Sequence, residues 1–387
     1  MIVIGLAGLL FDSGNYGCAA LAISFYKGLT EILGRNHEEC RIIAFSGEPN
    51  SKGLLEKEYP IQFVKYRLSN LHSVLETRTC VKQCDVMIDF TEGDSFSDIY
   101  GNGRFIKDSV IKMMALHYHV PLLLGPQTYG PFVGLLCRKT AAYIVNRAQK
   151  VYTRDKLSAK YLIEMGITRK VNICTDVAFR LPFAKVTVPQ HEALWVGVNV
   201  SGLLWADCAG GRNKYGLTIH YIKYHQQLIQ NLLRDPQIKV YLIPHVGTQN
   251  SSENGDYYAC RELQKKYPSC AILNDFANPC QAKEKISTMD VFVGARMHAT
   301  IAALSAGVFT IPIAYSRKFE GLFSSLGYPV IIDGCALNTE QAVEKTMYYI
   351  QAQSRYREKV KTSGMAAQKM LNEFYADIEC SLKDYHK

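Results

Sequence analysis

From one end to the other, the chain alternates short apolar runs with segments that carry the 3.6-residue spacing of amphipathic helices. The apolar runs include MIVIGLAG from Met1, CRIIAFS from Cys40, IQFVKY from Ile61, DVMIDF from Asp85, VPLLLG from Val120 and KVYTR from Lys150. LWVGVNV from Leu194, KVYLIPH from Lys239, DVFVGA from Asp290 and FTIPIAY from Phe309 continue the series. Between them lie AALAISFYKGLTEILG, LSAKYLIEMG and YIKYHQQLIQNLL, two of which stop at glycine. A strand apolar along its whole length must be covered on both faces, and a helix between successive strands supplies that cover. The pattern predicts α/β architecture with parallel, doubly wound sheets.

At 387 residues the chain is too long for one ordinary core, so two domains are expected. FRLPFAKVTVPQHEAL, from Phe179 to Leu194, has two prolines and no periodicity and precedes a fresh strand, so it marks the boundary. The expected division is residues 1–186, residues 187–340, and a helical, charged tail over 341–387 that packs back across the junction. QCDVMIDFTEG and TMDVFVGARMH share one plan: a polar helix end, an Asp, an apolar strand and a polar turn. Two doubly wound domains facing across a cleft account for both.

The formal net charge of +9 suits an anionic substrate or an anionic membrane surface. No Lys/Arg run or aromatic RNP-like motif accompanies it, so nucleic acid is not indicated. The 12 cysteines include no CxxC pair and no ligand-like spacing, which points to reduced thiols in a cytoplasmic protein and to no metal site. MIVIGLAGLLF lacks a basic n-region and reads as a first strand. The uncharged stretches Met113–Cys137 and Met297–Ser316 are interrupted by prolines and glycines and do not read as membrane spans. The expected location is the cytoplasm, with at most a peripheral, charge-held contact with an anionic membrane. The oligomeric state is not encoded in any motif.

In doubly wound sheets, ligands bind beyond the carboxyl ends of the strands, so the residues after each strand are the candidates. SGNYGCAALA, with Asn15 and Gly17, opens a helix after the first strand. Its backbone N–H groups can hold an anion or a sugar hydroxyl; the other reading is that its glycines serve only a tight turn. TEGDSFSDIYGNG offers Glu92, Asp94, Ser95 and Asp98, to orient sugar hydroxyls, to supply a carboxylate as a base or, for Asp94 or Ser95, to cap the next helix. Gln127 and Arg154 follow later strands. His117 and His119 precede a strand, away from the expected cleft, and read as structural. His245 follows a strand and a proline, and one βαβ unit supplies Arg296, His298, Tyr315, Arg317 and Lys318. Arginine offers a permanently charged planar fork, and histidine exchanges a proton near neutral pH. At a helix N-terminus the pair Arg296 and His298 forms an anion site with an acid/base attached; the other reading is a buried ion pair.

Taken in order, GNYGCAAL, DFTEGDSFSDIYG, GPQTYGPF, TRDKLSAKYL, CTDVAF, GVNVSG, LIPH and GARMHATIAALSAGVFTIPIAYSRKFEGL resemble the polysaccharide pyruvyl transferases over most of residues 11–327. The sequence departs from that pattern at Cys18, where many members have Asp, and at Thr91–Glu92, where a more glycine-rich turn is usual. The resemblance implies a two-domain, GT-B-like fold and transfer of pyruvate from phosphoenolpyruvate to sugar hydroxyls as a ketal. Phosphoenolpyruvate is then a co-substrate, and no metal or redox cofactor is needed. The resemblance assigns the Arg-x-His element, Arg296 and His298, to the donor. Lys318, Tyr315 and Arg317 join them as donor-binding residues, with His298 or His245 managing the proton. Asn15, Gly17, Asp94, Ser95, Gln127 and Arg154 fall to the sugar acceptor. A nucleotide-sugar glycosyltransferase on the same architecture and a non-catalytic glycan-binding protein are the competing expectations.

Overall fold

The computed structural model describes residues 1–11, 13–36, 39–47, 61–186, 192–247 and 255–385. The chain forms two compact units. The first consists of Met1–Ser13, Leu21–Val177 and Ala367–Lys387; the second of Gly14–Ala20 and Ala178–Ala366. Residues 187–191, within the boundary segment expected from the sequence, lie outside the described residues. Residues 178–186 group with the second unit, where buried Lys283 donates to the carbonyls of Phe179 and Leu181 at 3.5 and 2.9 Å.

Among the described residues, the first unit holds seven strands: β1 (Ile2–Ala7), β2 (Cys40–Ala44), β3 (Ile61–Phe63), β4 (Val86–Asp89), β5 (Leu122–Gln127), β6 (Lys150–Thr153) and β7 (Val171–Ile173). They pair in the order β3-β2-β1-β4-β5-β6-β7, and every pairing is parallel. Helices α1 (Tyr16–Arg35), α2 (Leu71–Gln83), α3 (Asn102–His117), α4 (Leu135–Arg147) and α5 (Lys156–Glu164) connect them. Asn70 and Asp155 cap α2 and α5 by accepting from the N–H groups of Ser73 and Ser158. One core cluster joins Met87, Leu122, Leu124 and Val151 of the strands to Phe105, Ile111, Ala141 and Ile144 of α3 and α4.

The second unit carries β8 (Leu194–Asn199), β9 (Ile238–Leu242), β10 (Ala271–Ile272), β11 (Val291–Gly294), β12 (Phe309–Ala314) and β13 (Ile332–Asp333), ordered β10-β9-β8-β11-β12-β13 and again parallel. Its helices are α6 (Gly202–Ala209), α7 (Tyr221–Leu232), α8 (Asp256–Lys266), α9 (Pro279–Ser287), α10 (Met297–Ser305), α11 (Arg317–Ser325) and α12 (Thr339–Gln351). The last helix, α13 (Arg357–Lys383), closes the chain, and its residues from Ala367 onward belong to the first unit. Among the described residues, no helix is long and apolar enough to cross a membrane.

All ten strands read from the sequence are present. The additions β7, β10 and β13 are two or three residues long, too short to show a period. Asp94 and Ser95 do not cap the start of α3, which begins at Asn102, behind Gly101. Gly101 has φ near +101°, which a side chain would strain. In each sheet the strand order reverses beside the first strand of its unit, between β1 and β4 and between β8 and β11. Connections leave to opposite faces at such a point and open a crevice beyond the strand ends.

Candidate active site

The crevice of the second unit is organised around a carboxylate that the sequence did not single out. Asp256, the first residue of α8, has no exposed surface. Its oxygens accept from the backbone N–H of Gly202 at 2.8 Å, of His245 at 3.0 Å and of Val246 at 3.1 Å. They also accept from Arg296, from Nε at 3.1 and 3.3 Å and from Nη2 at 2.7 Å. Asn199, at the end of β8, completes the frame: its amide donates to the Ile243 carbonyl, and its oxygen accepts from the Arg296 N–H at 3.0 Å.

Arg296 is the residue before α10, in extended conformation, and 15% of its side chain remains exposed. Burial works against its charge, but Asp256 first, then Tyr315 and Tyr221, outweigh it and raise the guanidinium pKa. The cation is therefore permanent and its orientation set before any ligand arrives. Tyr221, fully buried, accepts from the Ser201 N–H at 2.9 Å; burial lifts its phenol well above the usual range. Tyr215 meets Tyr315 edge-on at 5.7 Å between ring centroids, and Lys318 Nζ lies 5.5 Å from the Tyr315 ring. Burial is the main cause that raises the Tyr215 pKa, and Arg296 and Lys318 pull it down, so the two cations share one neighbourhood. Arg317 opens α11 one residue before Lys318. The N-termini of α6, α8, α10 and α11 all begin at this edge of the sheet, and their dipoles add positive potential to it.

His298 is the second residue of α10. A Cβ built on Gly17 would stand 2.5 Å from its Nδ1, so the first turn of α1 rests directly on the imidazole. That turn is tied down by the Gly17 N–H on Asn15 Oδ1 at 2.9 Å, a β-bridge between Asn15 and Val246, and Tyr16 donating to the Phe276 carbonyl at 3.0 Å. Asn15 and Gly17, expected on the acceptor side, thus pack within the second unit beside the predicted donor residues. His245 is 2% exposed, its ring edge-on to Tyr16, and neither ring nitrogen has a hydrogen-bond partner among the described residues. Burial is the main cause that lowers its pKa to about 3, so the ring is neutral, not imidazolium, at neutral pH.

The other acceptor candidates lie in the first unit, at the carboxyl ends of β4, β5 and β6. Arg154 is fully buried, 2.9 Å from Asp176, with Nε donating to Thr128 at 2.8 Å. Its charge serves the interior of the unit, where Asp176 holds it against the cost of burial. Gln127 has no exposed surface and donates to the Asp89 carbonyl at 3.5 Å. Ser95, 1% exposed, accepts from Arg104, which also pairs with Glu92. Asp94 alone of the four reaches the surface, accepting from the Tyr100 hydroxyl at 3.1 Å. His117 and His119 stand at the opposite, amino-terminal end of β5.

The arrangement in the second unit is an oriented cation, a second cation, phenols and an imidazole gathered at four helix N-termini. The sequence model of the polysaccharide pyruvyl transferase family matches residues 15–317, from Asn15 in the turn to the start of α11. The chain belongs to this family. It is accordingly a transferase. No curated protein matches it in sequence. Among solved structures, a glycosyltransferase from Rickettsia africae is similar with a TM-score of 0.62 at 11% identity, covering 97% of this chain and 98% of its own. HepE from Anabaena in complex with UDP and glucose gives 0.61 at 12%, covering 99% and 100%. A UDP-N-acetylglucosamine 2-epimerase described as putative, from Listeria monocytogenes, gives 0.61 at 9%, covering 98% and 97%. Identities this low speak for the fold alone: two Rossmann-like α/β units of the GT-B class.

Asp256 escaped the sequence reading because an Asp after Asn-Gly, opening a helix, looks like any N-terminal acid. Tyr221 and Tyr215 gave no signal, since isolated tyrosines carry none.

Proposed function

We propose that the protein transfers the pyruvyl group of phosphoenolpyruvate onto two hydroxyls of a sugar in a glycan or carrier-linked saccharide, as a cyclic ketal, with release of phosphate. The observation that carries this reading is the Arg296 fork, held by a fully buried Asp256 where four helix N-termini meet, with Lys318 close by. Phosphoenolpyruvate carries its carboxylate and its phosphate ester on the same carbon, and a planar fork plus a point cation complement such a pair.

In this scheme His298 gives a proton to the methylene carbon, and the cationic centre forms at the neighbouring carbon. One sugar hydroxyl attacks there, the carbon–oxygen bond to phosphate breaks, and the second hydroxyl closes the ring. Of the two protons the hydroxyls lose, one restores His298 and the other leaves with phosphate, so no oxidant or reductant enters. His245 is the poorer donor, because burial keeps its ring neutral down to a pH of about 3. Arg296 and Lys318 neutralise the departing phosphate, a role that strengthens as its charge develops.

Incubation with phosphoenolpyruvate and a mixture of saccharides tests this. Phosphate release together with a product heavier by one pyruvate ketal is the expected result. Turnover of nucleotide sugars in place of phosphoenolpyruvate would assign the site to glycosyl transfer instead.

A further inference from the structure

The two loops that follow β4 and β5 in the first unit form a rim that turns large apolar side chains to solvent. Val133 is 83% exposed, Leu135 69% and Leu136 76%. Exposed Ile99 and Tyr100 stand beside them, because the loops are laced together. Asp98 accepts from the N–H of Val133 at 2.9 Å and of Gly134 at 2.7 Å, and Ser97 donates to the Pro131 carbonyl at 2.7 Å. The exposure is built into this bracing. Phe132 is the residue that folds inward, edge-on to Phe96 and Phe105 at 5.6 and 5.7 Å between ring centroids. With Phe132 filling the core and the next two N–H groups clamped on Asp98, Val133, Leu135 and Leu136 are held outward. Apolar residues exposed singly are ordinary, but a contiguous patch marks a surface that something apolar covers.

The charge around the patch indicates what that is. From Leu136 the outer face of α4 continues at helical spacing through Lys139, Tyr143 and Arg147. The helix carries Arg138, Lys139 and Arg147 and no acidic residue. The Arg147 guanidinium lies 3.9 Å from the centre of the exposed Tyr143 ring. The three acids of the two loops are engaged: Asp98 by the N–H groups above, Glu92 by Arg104 and Asp94 by Tyr100. Apolar tips bordered by cations and an amphipathic tyrosine suit the boundary of a bilayer. Acyl chains take the tips there, and anionic headgroups take the cations.

We propose that this rim docks the first unit on a membrane surface that contains anionic lipids. The formal net charge of +9 favours the approach. The charge-held contact expected from the sequence thereby gains a location and an apolar component. No step of the transferase reading is needed for this, and the test reads binding alone, so the two stand or fall separately.

Co-sedimentation of the full chain with vesicles supplies that test, with phosphatidylglycerol mixed into phosphatidylcholine in one set and phosphatidylcholine alone in the other. Binding should be tighter on the anionic set and weaken with salt. Arg138→Gln together with Lys139→Gln should weaken it about 25-fold, at roughly fivefold per charge. Leu135→Gln together with Leu136→Gln should weaken it at least about tenfold. Ile163→Gln should change nothing: Ile163 is as exposed as Leu135 but lies near the end of α5, before β7, at the opposite edge of the sheet. Glutamine is close to leucine as a helix former and both leucines are exposed, so the variants are expected to fold, with circular dichroism as the check. No binding to the anionic vesicles, equal binding to both sets, or binding that the leucine pair leaves unchanged would each overturn the proposal. So would a dimer in sedimentation velocity that Leu135→Gln with Leu136→Gln abolishes, since the face would then belong to a second copy.

Discussion

Replacing Asp256 by Asn keeps the shape of the side chain and removes its charge. In the wild type both oxygens accept, from three backbone N–H groups and from Arg296. An Asn must turn its NH₂ toward either the arginine or the N–H groups of His245 and Val246, and each choice sets donor against donor. The larger loss is electrostatic, because Arg296 stays largely buried with no countercharge. Breaking a buried ion pair from one side costs about 3–5 kcal/mol, mostly the penalty of the stranded charge. For a unit of about 200 residues that corresponds to a fall in Tm of roughly 6–20 °C. Both tryptophans of the chain, Trp195 and Trp205, lie in this unit, so fluorescence on heating or in urea reports its unfolding selectively. Adding Arg296→Gln should recover part of the loss, with a coupling of about 1–3 kcal/mol in the double-mutant cycle. A stability within about 1 kcal/mol of wild type for Asp256→Asn, or strict additivity in the cycle, would refute the claim that this carboxylate holds the arginine.

Arg296→Lys should cut phosphate release from phosphoenolpyruvate by about 30- to 5,000-fold, since a point ammonium cannot both satisfy Asp256 and present a fork. His298→Gln should lower it by about 10²–10⁴-fold with Tm nearly unchanged; near-wild-type release from both variants would remove the pair from the chemistry. Gly17→Ala should impair turnover by pushing the His298 ring aside, whereas Gly14→Ala, with nothing within 4 Å of the new Cβ, should not; equal activities would count against the turn as the seat of the imidazole. His225 and His245, both buried, have pKa values lowered by burial to about 3. Below pH 6.5 the unfolded chain takes up protons that the folded one refuses, so stability is lost as pH falls from 6.5 toward 3, at up to about 1.4 kcal/mol per pH unit for each ring. His225→Phe should reduce that slope by one ring's share, and an unchanged slope in urea titrations between pH 4 and 6 would contradict the burial argument.

Local pattern was enough to place the parallel strands, because a strand buried on both faces needs an unbroken apolar run and each helix has its own period. It also singled out Arg296, His298 and His245 as candidates, since in βα order the residues directly after strands are the ones that can face a ligand. Which of those residues meet was decided only by strand order, which no local period encodes. The countercharge of Arg296 is 40 residues away, brought close because β8 lies between β9 and β11. The turn at Asn15–Gly17 follows the first strand of the first unit, yet it packs against His298 in the second. Arg154 has the same sequence setting as Arg296, a cation just beyond a strand. Tertiary packing sealed it inside against Asp176 and left Arg296 at the mouth of a crevice. An arginine's chemistry is present in the sequence, but the desolvation and partner that decide its use arise when distant segments close around it.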